Sequence, residues 1–493
     1  MKNQILFNLK YMIKDLIVIL IILLILSYNA IGQPAPMQSE YKEVNIVSAI
    51  HNNPKIMFES FSDSGISWKA KPVEKKHVSV PGADWIRIHF EDYNLGQESF
   101  IRIYGSDGAK QELNTVSMQN WDYLSARFNG GIVAIYLYKS PDDDGIYFRV
   151  KNVSVGKNNE EKKLDISEIN ISDKEATCGI KDDRIRLENQ DLRIARVMGV
   201  GCTAWLIADG SLLTAGHCVG PKMTYVEFNV PLSNEDGATN APFPIHAYPI
   251  DLQSIKFTPP TQDLTDNTDN YGKEWAVFRV HPNSNHGLLP HQAYNNFFRI
   301  SNTRLGESLR ITGFGIDNSP PGKKSPNFRN SFSQTQQTHF GNYLEEIIVD
   351  SNQAYLSYRV DTMKGNSGSP IIESEDPTVS IGIHTDAGCQ DSDNSGNKGT
   401  SFNNEELVKF INSNYINSEI FIDQVHPIVR TRQDGNESDG TLLKPYISIS
   451  EALNKDYTDK ILNIIAGSYN EQNLLIDQPT KINALFGSVI IGR

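Results

Sequence analysis

Residues 213–218 read Leu-Thr-Ala-Gly-His-Cys and follow an apolar run at 204–207 that is typical of a buried strand. Two further strings come later in the chain: Glu-Trp-Ala-Val-Phe at 274–278 and Gly-Asn-Ser-Gly-Ser-Pro at 365–370. The chain thus presents a histidine, then an acid, then a serine between glycines. Each string brings its chemistry together with its surroundings, which makes chance agreement a poor explanation.

These residue types fit peptide hydrolysis through an acyl-enzyme. That reaction needs a nucleophile, a base beside it, a group that orients the base, and donors for the oxyanion. Ser367 is the candidate nucleophile, His217 the general base and Glu274 the acid. Gly365 and Gly368 allow a tight turn that points backbone amides at one spot. The N–H groups of Gly365 and Ser367 would then form the oxyanion hole.

The order histidine, acid, serine is that of the chymotrypsin-type serine proteases. Residues 178–418 resemble the trypsin-like serine peptidases, and specifically the bacterial glutamyl endopeptidase branch, which carries Gly-Asn-Ser-Gly-Ser-Pro followed by Gly-Ile-His, here at 382–384. The resemblance covers about half of the chain. It implies a pair of antiparallel β-barrels for this region and a secreted serine endopeptidase as the function.

The acid departs from the family's pattern. Trypsin-like chains normally have aspartate before Trp-Ala-Val-Phe, whereas this chain has Glu274. Glutamate supplies the charge that holds the imidazole tautomer, but it is one methylene longer and must kink. Three interpretations stay open: Glu274 works with adjusted geometry, Asp269 reaches in instead, or the chain is an inactive homologue. An inactive homologue would act as a surface adhesion or carbohydrate-binding protein.

Substrate preference depends on residues near the serine. Asp361, six residues before Ser367, stands where trypsin has its pocket aspartate, which implies cleavage after Arg or Lys. Thr362 and His384 instead match the positions with which glutamyl endopeptidases bind a substrate carboxylate, and a histidine donor suits an acidic side chain. An Asp-Thr pair also occurs in that acid-specific branch, so cleavage after Glu is the favoured interpretation and cleavage after Arg or Lys the alternative.

The chain has four cysteines. An even count in an exported chain suggests two disulfides. Cys202 and Cys218 bracket the histidine string as in many trypsin-like domains, and the pair Cys178–Cys389 follows by elimination. Because no CxxC or His/Cys cluster has metal-ligand spacing, the sequence predicts neither a metal nor a cofactor.

The N-terminus has the pattern of an export signal. Basic residues precede an apolar run at 16–26, and small residues at 30–32 could serve for cleavage. A membrane span needs about 20 apolar residues, so no stable span is expected after cleavage. The protein is therefore expected to be secreted or at the cell surface.

The net charge of −13 argues against nucleic acid as the main partner. A protein or peptide substrate is expected, and the oligomeric state stays open.

The predicted fold class is mainly β. Alternating apolar and polar residues before the catalytic strings are typical of an antiparallel β-sandwich or jelly roll. Its aromatics Trp85, Trp121 and Phe128 are interpreted as core residues, with a sugar-binding platform as the alternative. The expected boundaries are a signal peptide at 1–32, a β-sandwich accessory domain at 41–155, a protease domain at 178–418 and a parallel β-helix-like segment at 425–493.

The route of activation is left open by the sequence. Residues 154–174 are polar and charged, which is typical of an exposed connection or a processing site. Many relatives need a free amino terminus released by propeptide cleavage, and Lys174, Lys181 or Arg184 could mark such a cut. A permanently attached sandwich domain is the alternative.

Overall fold

Strands dominate the part of the chain that the structure describes. A computed structural model describes residues 39–52, 71–157, 177–179, 181–259, 271–317, 330–389, 395–413, 418–428, 438–455, 457–471 and 473–492. The predicted signal peptide, Asp269 and most of the connection at 154–174 lie outside these residues. Within them the helices are short: α1 Thr115–Asn120, α2 Pro290–Tyr294, α3 Glu405–Ser413 and α4 Ile449–Leu453. No helix of the described residues has the length and apolar character that a bilayer crossing requires.

The first eight strands form a separate N-terminal unit. They are β1 Ser39–Val47, β2 Glu74–Ser79, β3 Ala83–Asn94, β4 Phe100–Gly105, β5 Lys110–Leu113, β6 Phe128–Asn129, β7 Ile132–Tyr138 and β8 Tyr147–Lys157. They build two four-stranded antiparallel sheets, ordered β1-β8-β3-β6 and β2-β7-β4-β5. Alternate residues such as Ile86 and Ile88 on one sheet and Ile101 and Ile103 on the other share one buried apolar cluster. The sandwich or jelly-roll identity of this unit stays a prediction.

The next strands close the first barrel. They are β10 Ile194–Val197, β11 Cys202–Leu206, β12 Leu212–Thr214, β13 Tyr225–Glu227, β14 Ala247–Thr258 and β15 Trp275–Val280, and the short strand β9 Ile185–Arg186 precedes them outside this barrel. The closed order is β10-β11-β12-β15-β14-β13. Thr214 at the end of β12 pairs with Ala276 near the start of β15. Because His217 follows β12 and Glu274 precedes β15, this pairing brings both residues to the same end of the barrel.

A second barrel follows. Its strands are β16 Arg299–Ile300, β17 Ser308–Gly313, β18 Gln337–Asp350, β19 Gln353–Arg359, β20 Pro370–Glu373, β21 Val379–Asp386 and β22 Asn397–Ser401. The sheet runs β21-β20-β17-β18-β19-β22, and pairing between β21 and β22 closes it, with β16 and β9 attached outside the ring. Two closed six-strand barrels in a mainly β chain are the architecture of a chymotrypsin-like fold, which confirms the predicted fold class.

Three parallel strands end the described chain: β23 Glu419–Ile422, β24 Ile461–Tyr469 and β25 Lys481–Ile491. They stack in register, so that equivalent residues form rows across the sheet. Asn463 shows such a row, because its side-chain amide donates to Glu419 at 2.6 Å and its oxygen accepts from Asn483 at 3.0 Å. Whether this sheet is the start of a β-helix stays a prediction.

A fully buried ionic cluster joins the N-terminal unit to the first barrel. Arg127, just before β6, donates to both carboxylate oxygens of Glu227 on β13, at 3.2 and 3.0 Å. Arg196 on β10 donates to the same carboxylate at 3.2 and 2.7 Å. The Arg127 guanidinium also lies 5.2 Å from the ring centroid of the buried Trp85. These contacts make the N-terminal unit part of one packed body with the barrels.

The three aromatics singled out in the sequence lie inside the protein. Trp85, Trp121 and Phe128 are all buried, and the ring of Trp121 packs 5.4 Å from Tyr225 of the first barrel. Buried rings cannot offer a face to a sugar. They act as core and interface aromatics, as the sequence interpretation had them.

Candidate active site

A buried histidine and a buried glutamate meet at the end of the first barrel. Nδ1 of His217 lies 2.9 Å from each carboxylate oxygen of Glu274, and the His217 backbone N–H donates to the same carboxylate at 2.9 Å. Gly216 makes this approach possible, because a Cβ there would come within 2.1 Å of the Thr258 carbonyl oxygen and 3.2 Å of the Glu274 Cβ. With the backbone packed this closely, both carboxylate oxygens of Glu274 reach the imidazole.

The charge of Glu274 sets the acid–base behaviour of His217. Burial by itself lowers the pKa of the imidazole, but attraction to the Glu274 carboxylate and its hydrogen bond outweigh burial, and the net pKa of His217 is raised. Asp386 contributes a further attraction in the same direction. Stabilisation of the charged ring is what a general base needs at the moment when it takes up a proton.

Ser367 sits in a turn that only glycine neighbours allow. Gly365 and Gly368 have φ values of +100° and +86°, in the left-handed region. The turn is fastened to strand β11 of the first barrel, since the Thr203 N–H donates to the Ser367 carbonyl at 2.9 Å and the Thr203 hydroxyl to the Gly365 carbonyl at 2.8 Å. A Cβ on Gly368 would come within 2.2 Å of Thr214 Oγ1. The second barrel therefore presents Ser367 against the strand that leads to His217.

The reactive atoms are left without partners. His217 Nε2 is buried and has no hydrogen-bond partner among the described residues. Within the same part of the chain, the Ser367 hydroxyl and the backbone N–H groups of Gly365 and Ser367 also form no hydrogen bond. An unmade serine–histidine hydrogen bond is common in a site without substrate. The Ser367 hydroxyl, His217 Nε2 and two backbone N–H groups thus lie at the junction of the barrels.

A disulfide lies beside this junction. Cys202 and Cys218 are joined, and the Cys218 sulfur is 3.9 Å from the Ser367 carbonyl oxygen. The two sulfurs also lie close to His217. Because they are bonded to each other, they offer no thiolate to a metal ion. The group is structural and ties the histidine turn to β11.

His384 is held by a buried tyrosine. The Tyr358 hydroxyl is 2.7 Å from His384 Nδ1 and 3.1 Å from the Lys398 carbonyl oxygen. Burial, together with repulsion from His217, lowers the pKa of His384 to about 3, so the ring is neutral at ordinary pH. The tyrosine has a single proton. When it donates that proton to Nδ1, the ring proton of His384 resides on Nε2, where it can be donated to a ligand; when it donates to the Lys398 carbonyl, which can only accept, Nδ1 carries the ring proton and Nε2 is an acceptor.

Asp361 has a different environment from the one that cleavage after Arg or Lys requires. Its carboxylate accepts the backbone N–H of Cys178 at 2.7 Å and that of Asp183 at 2.8 Å, and the side chain is buried. Both oxygens are therefore committed to the segment that enters the first barrel. Cys178 is also joined to Cys389 by the second disulfide. Asp361 thus anchors this segment, and its role toward substrate stays a prediction.

Thr362 belongs to a network around one asparagine. Its hydroxyl oxygen accepts from the Asn397 side-chain amide at 3.1 Å, and the same amide donates to the Val360 carbonyl at 2.8 Å. The Asn397 oxygen accepts the N–H groups of Gly388 and Cys389. The network fixes the loop after β21 against the residues that precede Ser367.

Several residues at the site have no recognisable signal in the sequence. Asp386 ends β21 opposite Lys398 of β22, and burial followed by repulsion from Glu274 raises the pKa of Asp386 to about 7. Tyr358, Asn397 and Arg184 likewise reach the site through contacts with residues distant in sequence. Only the two-residue spacing between His384 and Asp386 placed Asp386 near a predicted site residue.

Comparison with known proteins points to proteases. No family model matches the chain. The chain is 25% identical over 245 residues to a glutamyl endopeptidase of Bacillus licheniformis, a match that spans 47% of this chain and 67% of that protein. Among solved structures, neuropsin, a serine protease expressed in the limbic system of mouse brain, matches at 15% identity with a TM-score of 0.33, over 47% of this chain and 97% of neuropsin.

A second structural match is the Rv3671c protease of M. tuberculosis H37Rv in its inactive form, at 12% identity with a TM-score of 0.27, over 44% of this chain and 86% of that one. Both structural matches span less than half of this chain. The match to the glutamyl endopeptidase likewise covers about half of the chain.

Proposed function

We propose that the protein is a secreted serine endopeptidase in which Ser367 is the nucleophile, His217 the general base and Glu274 the acid that orients it. The observation that carries this proposal is the pair of 2.9 Å contacts between His217 Nδ1 and Glu274, with His217 Nε2 left free of partners among the described residues. The contacts of Glu274 with the imidazole support Glu274 as the acid, and Asp269, the alternative, lies outside the described residues.

The reaction follows from this geometry. His217 Nε2 takes the Ser367 hydroxyl proton as the serine oxygen attacks the peptide carbonyl carbon. The negative oxygen that forms is stabilised by the N–H groups of Gly365 and Ser367, and loss of one such donor typically costs about 10²–10³ in rate. The imidazolium then protonates the leaving amine, and an acyl-enzyme remains. Water, deprotonated by the same imidazole, releases the acid and restores Ser367.

Cleavage after glutamate is the substrate preference that we propose. When the Tyr358 proton goes to Nδ1, neutral His384 carries its own proton on Nε2 and gives a directed donor to a carboxylate. Thr362 accepts from Asn397 on β22, the strand that pairs with that of His384. The likeness to a glutamyl endopeptidase supports the same preference. Cleavage after Arg or Lys has less support, because the Asp361 carboxylate already accepts two backbone N–H groups.

Export is part of the proposal. The two disulfides are compatible with an oxidising compartment, where such bonds persist. The signal peptide that would direct the chain there rests on the sequence pattern alone.

The test is labelling of the purified protein with a fluorophosphonate probe, read by peptide mass spectrometry, with Ser367→Ala as the control. Label on Ser367 alone is the expected result. Absence of label on folded protein would refute the proposal and favour an inactive homologue with a binding role. A panel of chromogenic peptides ending in Glu, Asp, Arg or Lys then reports the preference.

A further inference from the structure

A buried arginine connects the segment before the first barrel to the serine turn. The side chain of Arg184 is 2% exposed and forms a two-point ion pair with Asp182, at 2.9 and 2.6 Å. Its remaining donors reach the Ile316 carbonyl at 2.7 Å and the side-chain oxygen of Asn366 at 3.1 Å. Asn366 is the residue directly before Ser367. One guanidinium thus links three parts of the chain that meet behind the serine.

Asn366 is placed where its orientation controls the proposed oxyanion donors. Its side-chain oxygen also accepts the Met363 N–H at 3.0 Å, and its backbone N–H donates to the Met363 carbonyl at 2.9 Å. The amide packs closely on a strand end, because a Cβ on Gly315 would come within 2.2 Å of Asn366 Oδ1 and 2.3 Å of Arg184 Nη1. The unpaired N–H groups of Gly365 and Ser367 lie on either side of this fixed residue.

We infer that Arg184 is a positioning residue for the serine turn, and that the uncut chain, with residues 177–184 attached, is already competent. The inference rests on the proposed function. The charged Arg184 guanidinium donates a hydrogen bond to the Asn366 side-chain oxygen. This bond holds the turn in the form that aims the backbone N–H groups of Gly365 and Ser367 at one point. The donor comes from inside the chain, and its segment is held in place by Asp361 and by the Cys178–Cys389 disulfide.

The experiment compares Arg184→Met, Arg184→Lys and Arg193→Met in the full chain. Arg193 is a matched control, because it pairs with Asp191 at the same spacing, at 2.8 and 2.6 Å, and is likewise buried. Its other hydrogen bond goes to the Pro377 carbonyl, away from the serine turn. The readouts are the rate of fluorophosphonate labelling, kcat and KM on a Glu-ending peptide, and the mass of the labelled species.

We expect Arg184→Met to lower kcat and the labelling rate by about tenfold to a hundredfold, because small misplacements of catalytic groups cost that much. KM should stay within about twofold, since substrate contacts are retained. Arg184→Lys should be intermediate, as an ammonium keeps the charge but not the fork of donors. Arg193→Met should label at the wild-type rate, and the mass should show residues 177–185 unbroken in the labelled wild-type chain.

The inference is overturned if Arg184→Met labels at the wild-type rate, or if wild-type label appears only after a cut between residues 158 and 184. Should Arg184→Met fail to fold, Arg184→Lys decides alone: slowing by about threefold or more supports the inference, and an unchanged rate overturns it. A wild-type chain that never labels, cut or uncut, refutes the proposed function and removes the inference with it.

Discussion

Removal of one carboxylate should loosen the whole N-terminal unit. Glu227 accepts N–H groups from Arg127 and Arg196, and all three side chains are about 1% exposed. Loss of one partner from a buried ion pair costs about 3–5 kcal/mol, because the remaining charge stays buried without compensation. Since Glu227 serves two guanidinium groups, we expect Glu227→Gln to lower the free energy of unfolding by about 4–5 kcal/mol, the upper part of that range.

The assay uses the fact that Arg127 belongs to the N-terminal unit, whereas Glu227 belongs to the first barrel. A cut at a protease site engineered between residues 158 and 176 breaks the covalent link between the N-terminal unit and the barrels. No disulfide can hold the two pieces together, because all four cysteines lie at 178 or later. After cutting, the wild-type pieces should elute together from a sizing column, whereas the Glu227→Gln pieces should separate. Urea unfolding of the uncut variants measures the free energy.

Two controls make the measurement specific. Glu112→Gln breaks a partly exposed ion pair, in which the side chain of Arg102 is 26% exposed and that of Glu112 is 35% exposed. This change should lower the free energy of unfolding by less than about 1 kcal/mol. The combined Arg127→Met, Glu227→Leu and Arg196→Met variant removes all three charges, although the carbonyls of Gln334 and Asn240 lose a donor, so it should be less destabilised than Glu227→Gln. If Glu227→Gln matches Glu112→Gln and its pieces stay together, the reasoning about the interface is wrong.

Three further predictions concern charge and specificity. Asp386 is ionised above about pH 7, where its charge helps to raise the pKa of His217, so Asp386→Asn should move the acid limb of kcat/KM, which requires neutral His217, to lower pH; an unmoved limb would contradict the assignment. His384→Ala should abolish cleavage after Glu far more than it slows hydrolysis of a simple ester, and equal losses would remove the specificity assignment. Asp143 accepts the N–H groups of residues 97–99 and the Ser99 hydroxyl, and although burial opposes them, these bonds lower its pKa from 3.8 to about 2. Its stabilisation should be complete above about pH 4 and lost as the pH falls toward 2, so acid-unfolding curves of wild type and Asp143→Asn should converge there; curves that stay parallel would count against it.

The sequence predicted best where a motif carries its own local geometry. The strings around His217 and Ser367 contain the glycines and strands that shape their turns, so fold class and candidate triad could be inferred together. The role of Glu274 was left open by the sequence, because a longer side chain fits only if its surroundings yield. The structure supplies what the sequence could not, which is the distance of 2.9 Å from each Glu274 carboxylate oxygen to His217 Nδ1.

Residues whose partners are distant in sequence could not be inferred. From the sequence, Asp361 was assigned to a substrate pocket. In the structure its oxygens accept N–H groups of residues that precede it by 183 and 178 positions. Arg127 and Glu227 are 100 residues apart. Neither pairing leaves a trace in local periodicity or spacing, since each exists only once the barrels and the N-terminal unit have packed.

The Cys178–Cys389 bond has a consequence for a protein that cuts peptides. It closes a ring with a sequence separation of 211 residues, and the first barrel and every strand of the second barrel except β22 lie within that ring. A single autolytic cut anywhere between residues 179 and 388 therefore opens the ring without releasing a fragment. The two new ends stay tethered at high effective concentration, so a nicked molecule can keep both halves of its active site until the disulfide is reduced.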